Sequence, residues 1–253
     1  MLRFPPRFHP GANPLSLDPV GLIVVAAGTG QRLGAPVHKA LVDLDGRSLV
    51  EHCVERLLRS EVIGPCVVVG HADDLEQLRA LLAPIADRAQ RRLEVIPGGA
   101  RRQDSVAAGL AALPAGCERV FVHDAARPFV PLEALPALAE AVAPGGAALL
   151  AVPLADTVKQ TAEDPRQVSA TLDRSRLHAA QTPQAFRTQE LAELLAAAAA
   201  SSTTVTDEAA LYEGSGRPVQ LVPGSRLNFK LTTAEDLALV RALLQLDTGH
   251  PSS

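Results

Sequence analysis

The chain has 253 residues, 47% of them hydrophobic, with 24 Lys and Arg against 28 Asp and Glu and a formal net charge of -4. That is enough apolar material for one large core, and a mildly acidic chain with no lysine-rich block is not a non-specific nucleic-acid binder. Cys53, Cys66 and Cys117 are odd in number and stand far apart with no C-x-x-C pair, so neither a disulfide framework nor a zinc site is indicated, and a reducing cytoplasm is the simplest home.

Residues 1–18, "MLRFPPRFHPGANPLSLD", are proline-rich and lack the apolar centre of a signal peptide, so they are expected to be a flexible tail ahead of a single domain over 19–253. No later stretch approaches the ~20 apolar residues of a membrane span. Short apolar or β-branched runs at 20–26, 66–70, 92–96, 119–123 and 147–152 alternate with segments of helical period. That alternation predicts βαβ units and a mostly parallel sheet. Ser48 and Glu51 make a capping box for a helix whose Leu49, Val50, Cys53, Val54, Leu57 and Leu58 share one face. Residues 153–175, polar and broken by "EDPRQ", interrupt the rhythm and predict an extended arm or hairpin that leaves the domain and packs on a second subunit. "LAELLAAAAA" is composed of the strongest helix formers and predicts a helix. A second box, Thr232 with Glu235, predicts a C-terminal helix laying Leu237, Leu239, Val240, Leu243 and Leu244 against the sheet.

Three polar clusters follow predicted strands: "AAGTGQRLGAPVHK", "PGGARRQDS" and "HDAARP". In an open parallel sheet ligands sit at the carboxyl ends of the strands, so their common position points to one site. The first cluster is neither a dinucleotide fingerprint, because Leu33 occupies the third glycine position, nor a Walker loop. Gly28 and Gly30 let the backbone approach a polyphosphate, with Arg32 and Lys39 adding positive charge; a tight turn is the competing explanation. Asp124 ends a strand and suits Mg²⁺, which takes one or two carboxylates plus water and phosphate, or it caps a turn as the ion-pair partner of Arg127. His123 points to the opposite face of the extended chain and belongs to the core. With no G-x-S-x-G, reactive-cysteine or H-E-x-x-H pattern, hydrolysis is poorly supported. Phosphoryl or nucleotidyl transfer to an already ionised phosphate needs only positioning and charge.

The blocks "AAGTGQRLG…K", "GGARRQDSV", "VHDAARP", "PLADTVK", "LDRSRLHAAQTPQAF", "TDEA" and "FKLTTAEDL", in that order between about 20 and 244, resemble the 2-C-methyl-D-erythritol 4-phosphate cytidylyltransferase family. The resemblance implies an α/β, Rossmann-like three-layer nucleotidyltransferase fold with a protruding dimerisation arm. It also implies a Mg²⁺-dependent transfer of CMP from CTP to a sugar-alcohol phosphate, methylerythritol phosphate, with pyrophosphate leaving. By the same resemblance Ala26, Ala27, Gly28 and Gly30 line the CTP site, Arg32 and Lys39 stabilise the triphosphate, Gly99 and Ser105 meet the cytosine, and Asp124 holds the metal. Lys230 and Arg174 position the acceptor with Arg127, Thr157, Thr182 and Thr206, and the arm carrying Thr157 and Arg174 crosses to the other subunit of a homodimer. Taken alone, the same lysine and arginines are surface charges and the threonines strand or cap residues. The sister activity on ribitol 5-phosphate, a nicotinamide oxidoreductase and a binding protein without turnover are the rival readings. The chain departs from the family at His38, where proline is usual, and at Ala100, where an acid is usual. Its end at Ser253 predicts no fused cyclodiphosphate synthase domain.

Overall fold

In a computed structural model, which describes residues 19–28 and 37–248, the alternating pattern becomes a seven-stranded sheet. Its strands, by position in the chain, are β1 (Val20–Val25), β4 (Ile63–Gly70), β5 (Leu93–Pro97), β6 (Arg119–Asp124), β7 (Ala147–Pro153), β10 (His178–Arg187) and β11 (Val219–Pro223). They lie in the order β11-β7-β10-β6-β1-β4-β5. Between β1 and β4, β2 (Asp43–Leu44) and β3 (Arg47–Ser48) form a small antiparallel ladder, and β8 (Lys159–Thr161) and β9 (Val168–Thr171) form another between β7 and β10. The sheet is parallel except at β10, which runs antiparallel to both β6 and β7. The sequence reading missed β10, because its small and polar residues "HAAQTPQAFR" carry neither a β-branched run nor an alternation.

The helices are α1 (Leu49–Leu58), α2 (Leu75–Ala89), α3 (Arg102–Ala112), α4 (Leu135–Glu140), α5 (Thr188–Ala200), α6 (Ala209–Gly214) and α7 (Ala234–Thr248). Period-two alternation sends Leu22, Val24, Val68 and Phe121 into a core with Val50, Val54 and Leu57 of α1, Leu78 and Leu82 of α2 and Leu135 and Leu138 of α4. The intervening Ile23, Val67, Val120 and Val122 meet Val106 of α3, Leu191 and Leu195 of α5 and Tyr212 of α6 on the other face. Three layers result. On α3, a Cβ built at Gly109 comes within 2.7 Å of Ile23 Cγ2, so the helix sits closer to β1 than a side chain there permits.

The Ser48 box forms as expected, Glu51 accepting from both the backbone N–H and the hydroxyl of Ser48 at 2.7 Å. At the C-terminal helix two expectations are corrected. Thr232 N–H (2.7 Å) and Thr233 N–H (2.9 Å) donate to Asp236, and Thr233 Oγ1 accepts from Asp236 N–H (3.3 Å), so the box is Thr233 with Asp236, one residue beyond the Thr232–Glu235 pair. Nor does α7 lie on the sheet: Val240, Leu237, Leu243 and Leu244 close a separate cluster with Leu44, Leu49, Phe129 and Leu231, and Leu239 is 50% exposed. The predicted arm is present as the β8–β9 hairpin, whose strand residues are all exposed. The tail reading for 1–18 lies outside the described residues.

Candidate active site

The carboxyl ends of β1, β5 and β6 open into a cavity of about 580 Å³ lined by Ala26, Ala27, Gly28, Lys39, Gly99, Arg101, Arg102, Ser105, Asp124, Lys230 and Thr232, among others. A larger cavity of about 900 Å³ lies between α3 and α5, walled mainly by Ala107, Leu110, Ala192 and Leu195, and reaches Glu118 at the opposite, amino end of β6. The smaller, charged one is the candidate active site, since it sits where ligands bind in open α/β sheets.

Backbone hydrogen bonds from Ala26 N–H to Val69 O (2.8 Å), from Ala125 N–H to Val25 O (3.1 Å) and from Gly98 N–H to Gly70 O (2.8 Å) prolong the ladder to the cavity floor. A Cβ added at Gly98 would lie 2.7 Å from Ala27 Cβ and 2.8 Å from Ser105 Oγ, so only glycine lets these loops approach. A Cβ added at Gly28 meets no described protein atom within 4 Å, which leaves room beside that backbone for a ligand. Ser105 Oγ accepts from Gly99 N–H (3.1 Å) and donates to Arg101 O (3.3 Å), shaping the loop that enters α3. Arg101 caps α3 by pairing with Asp104 at 2.8 Å, and the positive end of the α3 dipole faces the cavity.

Asp124 is the only carboxylate among the described lining residues, against Lys39, Arg101, Arg102 and Lys230. Its partners correct the expected pairing with Arg127: Arg102 donates to Oδ1 at 3.1 and 3.2 Å, and Lys230 Nζ to Oδ2 at 2.7 Å. The Arg127 guanidinium instead donates to Asn228 O (2.8 Å) and Ala180 O (3.4 Å), tying β10 to the segment before Lys230. Arg102 was overlooked in the sequence, where "ARRQDS" reads as an ordinary helix start. It also reaches both carboxylate oxygens of Glu208 at 2.5 and 2.6 Å, and Glu208 is fully buried. Burial alone would raise the Asp124 carboxyl, but Arg102 and Lys230 outweigh it and hold the group far below the ordinary carboxylate range. Burial pushes Glu208 the other way, upward, against the pull of Arg102. One guanidinium thus serves two acids, and the acid without the extra lysine is the first to take a proton.

Beneath Asp124 the hydrogen-bond directions are forced. His123 Nε2 faces Arg127 O at 3.1 Å and must donate to it, so in the neutral ring Nδ1 accepts from the Thr182 hydroxyl at 3.0 Å, and Thr182 Oγ1 accepts in turn from Asp124 N–H at 3.1 Å. The imidazole is neutral, in agreement with its full burial, which pushes its pKa down to about 4. His123 is a core residue, as its strand position predicted. Burial likewise pushes the Cys66 thiol up to about 12, which removes it as a nucleophile.

Of the residues singled out in the sequence, Ala26, Ala27, Gly28, Lys39, Gly99, Ser105, Asp124 and Lys230 line this cavity. Arg127, Thr182 and Thr206 line an adjoining pocket of about 140 Å³ that shares Arg102, Asp124 and Lys230 with it. Thr157 and Arg174 line neither cavity; both are exposed on the arm, where Arg174 donates to Ala155 O. Gly30 and Arg32 lie outside the described residues.

Over residues 20–246 the chain matches the model of the family described as 2-C-methyl-D-erythritol 4-phosphate cytidylyltransferase, IspD. A 2-C-methyl-D-erythritol 4-phosphate cytidylyltransferase of Streptomyces avermitilis is 41% identical over 228 residues, covering 88% of this chain and 90% of that protein. The crystal structure of a 4-diphosphocytidyl-2C-methyl-D-erythritol synthase from Anaerococcus prevotii superposes with a TM-score of 0.77 at 29% identity, covering 92% of this chain and all of that one. The Thermus thermophilus 2-C-methyl-D-erythritol 4-phosphate cytidylyltransferase gives 0.73 at 31% identity, covering 90% of this chain and 99% of its own.

Proposed function

The chain belongs to the 2-C-methyl-D-erythritol 4-phosphate cytidylyltransferase family, and from that premise we propose how its residues share the transfer of CMP from CTP to 2-C-methyl-D-erythritol 4-phosphate. The observation that carries the assignment is the charge of the cavity, where Lys39, Arg101, Arg102 and Lys230 line the wall with Asp124 as the one carboxylate among the described residues, at the sheet's carboxyl edge. The acceptor phosphate is ionised at neutral pH and needs no general base to attack the α-phosphorus. What limits the reaction is the charge accumulating on the phosphoryl oxygens and on departing pyrophosphate, which fixed cations in a partly dry cleft stabilise.

In this reading Ala26, Ala27, Gly28 and Gly30 offer backbone to the triphosphate, and Arg32 and Lys39 balance its charge. Gly99 and Ser105 sit at the base end. Lys230, 2.7 Å from Asp124, is placed to trade that ion pair for a substrate phosphate. Arg102 holds the other face of Asp124 through the exchange. The donor set fits Mg²⁺, because one carboxylate completed by phosphates and water is its usual protein site, and Asp124 is the residue that would hold it. When bound, the ion supplies further positive charge to the phosphate oxygens.

The arm supports a homodimer. A two-stranded hairpin is marginal by itself, and Val168 (61% exposed) and Leu172 (37%) are apolar residues on this one that their own subunit covers only in part. Thr157 and Arg174, remote from their own chain's cavities, would then complete the acceptor side of a neighbour's site, with Arg127, Thr182 and Thr206 contributing from within. Thr182 acts there through Asp124 and His123, which occupy its hydroxyl. The cytoplasm is the compartment that fits three unpaired cysteines, two of them buried.

Pyrophosphate release by the purified protein tests the assignment, with Mg²⁺ and CTP and either methylerythritol phosphate, ribitol 5-phosphate or no acceptor. Release that depends on methylerythritol phosphate is expected. Release with ribitol phosphate alone would overturn the acceptor, and release with neither would overturn the catalytic reading.

A further inference from the structure

One residue before Lys39, but sharing no residue with the lining of the nucleotide cavity, a second group of side chains converges. His38 directly precedes the short turn Lys39–Leu41, and His71 and Asp74 bracket the turn Ala72–Asp74 that carries the end of β4 into α2. His38 Nδ1 donates to Asp74 Oδ2 at 2.6 Å, and the His38 and His71 rings lie with centroids 4.0 Å apart. One nitrogen of each imidazole and one oxygen of Asp74 all lie within 4.8 Å of one another. We propose that His38, His71 and Asp74 form a binding site for a divalent transition ion of the Zn²⁺ class, separate from the site at Asp124.

The donor chemistry selects the ion. Two imidazole nitrogens and one carboxylate oxygen suit Zn²⁺, Co²⁺ or Ni²⁺, whereas Mg²⁺ prefers an all-oxygen shell. A tetrahedral ion at 2.0–2.1 Å from each ligand places the ligand atoms ~3.4 Å apart. The closest pair, His38 Nδ1 and Asp74 Oδ2, is at 2.6 Å and all three atoms lie within 4.8 Å of one another, and none of the side chains is fully enclosed, with 26% exposed at His38, 32% at His71 and 13% at Asp74. The simpler account is an ordinary His38–Asp74 hydrogen bond beside an N-cap, in which His71 Nδ1 accepts from Asp73 N–H at a long 3.4 Å; it does not call for the His71 ring to lie over that of His38, which a shared ion does. Three protein ligands leave a fourth position for water or for Asp73, whose Oδ2 is 3.5 Å from His71 Nδ1.

The site joins two short helical turns 36 residues apart in the chain, neither of them part of the sheet. An ion there pins the backbone immediately before Lys39 to the end of β4. Because Lys39 lines the nucleotide cavity, such an ion acts as a staple for a cationic wall, without entering the reaction.

The test is calorimetric titration of chelator-stripped protein with ZnCl₂ alone, repeated with CoCl₂ while recording visible absorption. One saturable Zn²⁺ equivalent, not displaced by millimolar Mg²⁺, and tetrahedral Co²⁺ bands are expected. Binding should weaken by more than about 100-fold in His71→Ala and in the near-isosteric Asp74→Asn, and should be unchanged in Asp124→Asn. Absence of saturable binding, binding that survives His71→Ala and Asp74→Asn, or binding abolished by Asp124→Asn would each overturn the proposal. The variants keep His9 and His250, so adventitious binding at those histidines appears as the surviving kind.

Discussion

Acidification should unfasten the floor of the active site through His123. The side chain is fully buried, its Nε2–H is committed to the Arg127 carbonyl, and its Nδ1 faces a hydroxyl whose one proton already points at it. A second ring proton would put a charge where no solvent reaches, and this burial is what pushes the folded imidazole down to about 4 from the ordinary 6.5. Between those values the unfolded chain binds more protons, so stability present above pH 6.5 is lost as pH falls toward 4 and no further below it. The loss is about 1.5 kcal/mol at pH 5.5 and about 2.5 kcal/mol at pH 4.5. Urea denaturation of the wild type and of His123→Gln at pH 7.0, 5.5 and 4.5 isolates it, because other titrating groups act on both proteins. The glutamine amide can still donate to Arg127 O. It should cost about 1–3 kcal/mol at pH 7.0 for the lost bond to Thr182, and then lose about 2.5 kcal/mol less than the wild type on going to pH 4.5. Equal losses in the two proteins would refute the argument.

Three further outcomes are expected. Glu208→Gln keeps an acceptor for Arg102 but removes the charge. With Asp124 still pairing the guanidinium, the cost should be about 1–3 kcal/mol, a fall in Tm of about 2–4 °C per kcal/mol, and turnover should drop as Arg102 shifts from Asp124; an unchanged melt would contradict the buried pair. Gly98→Ala should raise KM for CTP well before it unfolds the protein, because the added methyl pushes Ala27 and Ser105 apart at the cavity floor; nucleotide titration checks this. Lys39→Ala and Arg174→Ala should each be nearly inactive alone, yet on mixing and reassociation recover about one quarter of wild-type turnover. No recovery would speak against a site shared between subunits.

Much of this protein is legible in its sequence because the signals are local. The strands β1, β4, β5, β6 and β7 announce themselves as short apolar runs, and Gly28, Lys39, Gly99, Ser105 and Asp124 follow strand ends, so the topology alone gathers them. What escaped notice depends on distant partners. The antiparallel β10 owes its place to neighbours on both sides and not to its own residues. Arg102 and Glu208 are 106 positions apart, and nothing local distinguishes them from any arginine or glutamate near a helix start. The same holds for Asp124, whose nearest cation in sequence, Arg127, is turned away while Lys230 arrives from the far end of the chain. The shift of the last helix cap from Glu235 to Asp236 is of another kind: two overlapping threonine–acid pairs stand side by side in the sequence, and a one-residue difference in where the helix starts decides which of them closes.

The long reach of the Asp124 contacts also bears on how the enzyme is born. A chain emerging from the ribosome completes β1, α1, β4, α2, β5, α3 and β6 largely from neighbouring pairings, and by Asp124 it owns most of the nucleotide floor. It then lacks Glu208 to anchor Arg102 and Lys230 to close Asp124, each about a hundred residues from delivery. The ion network around Asp124, on which the proposed chemistry rests, therefore closes only when the last part of the chain is in place.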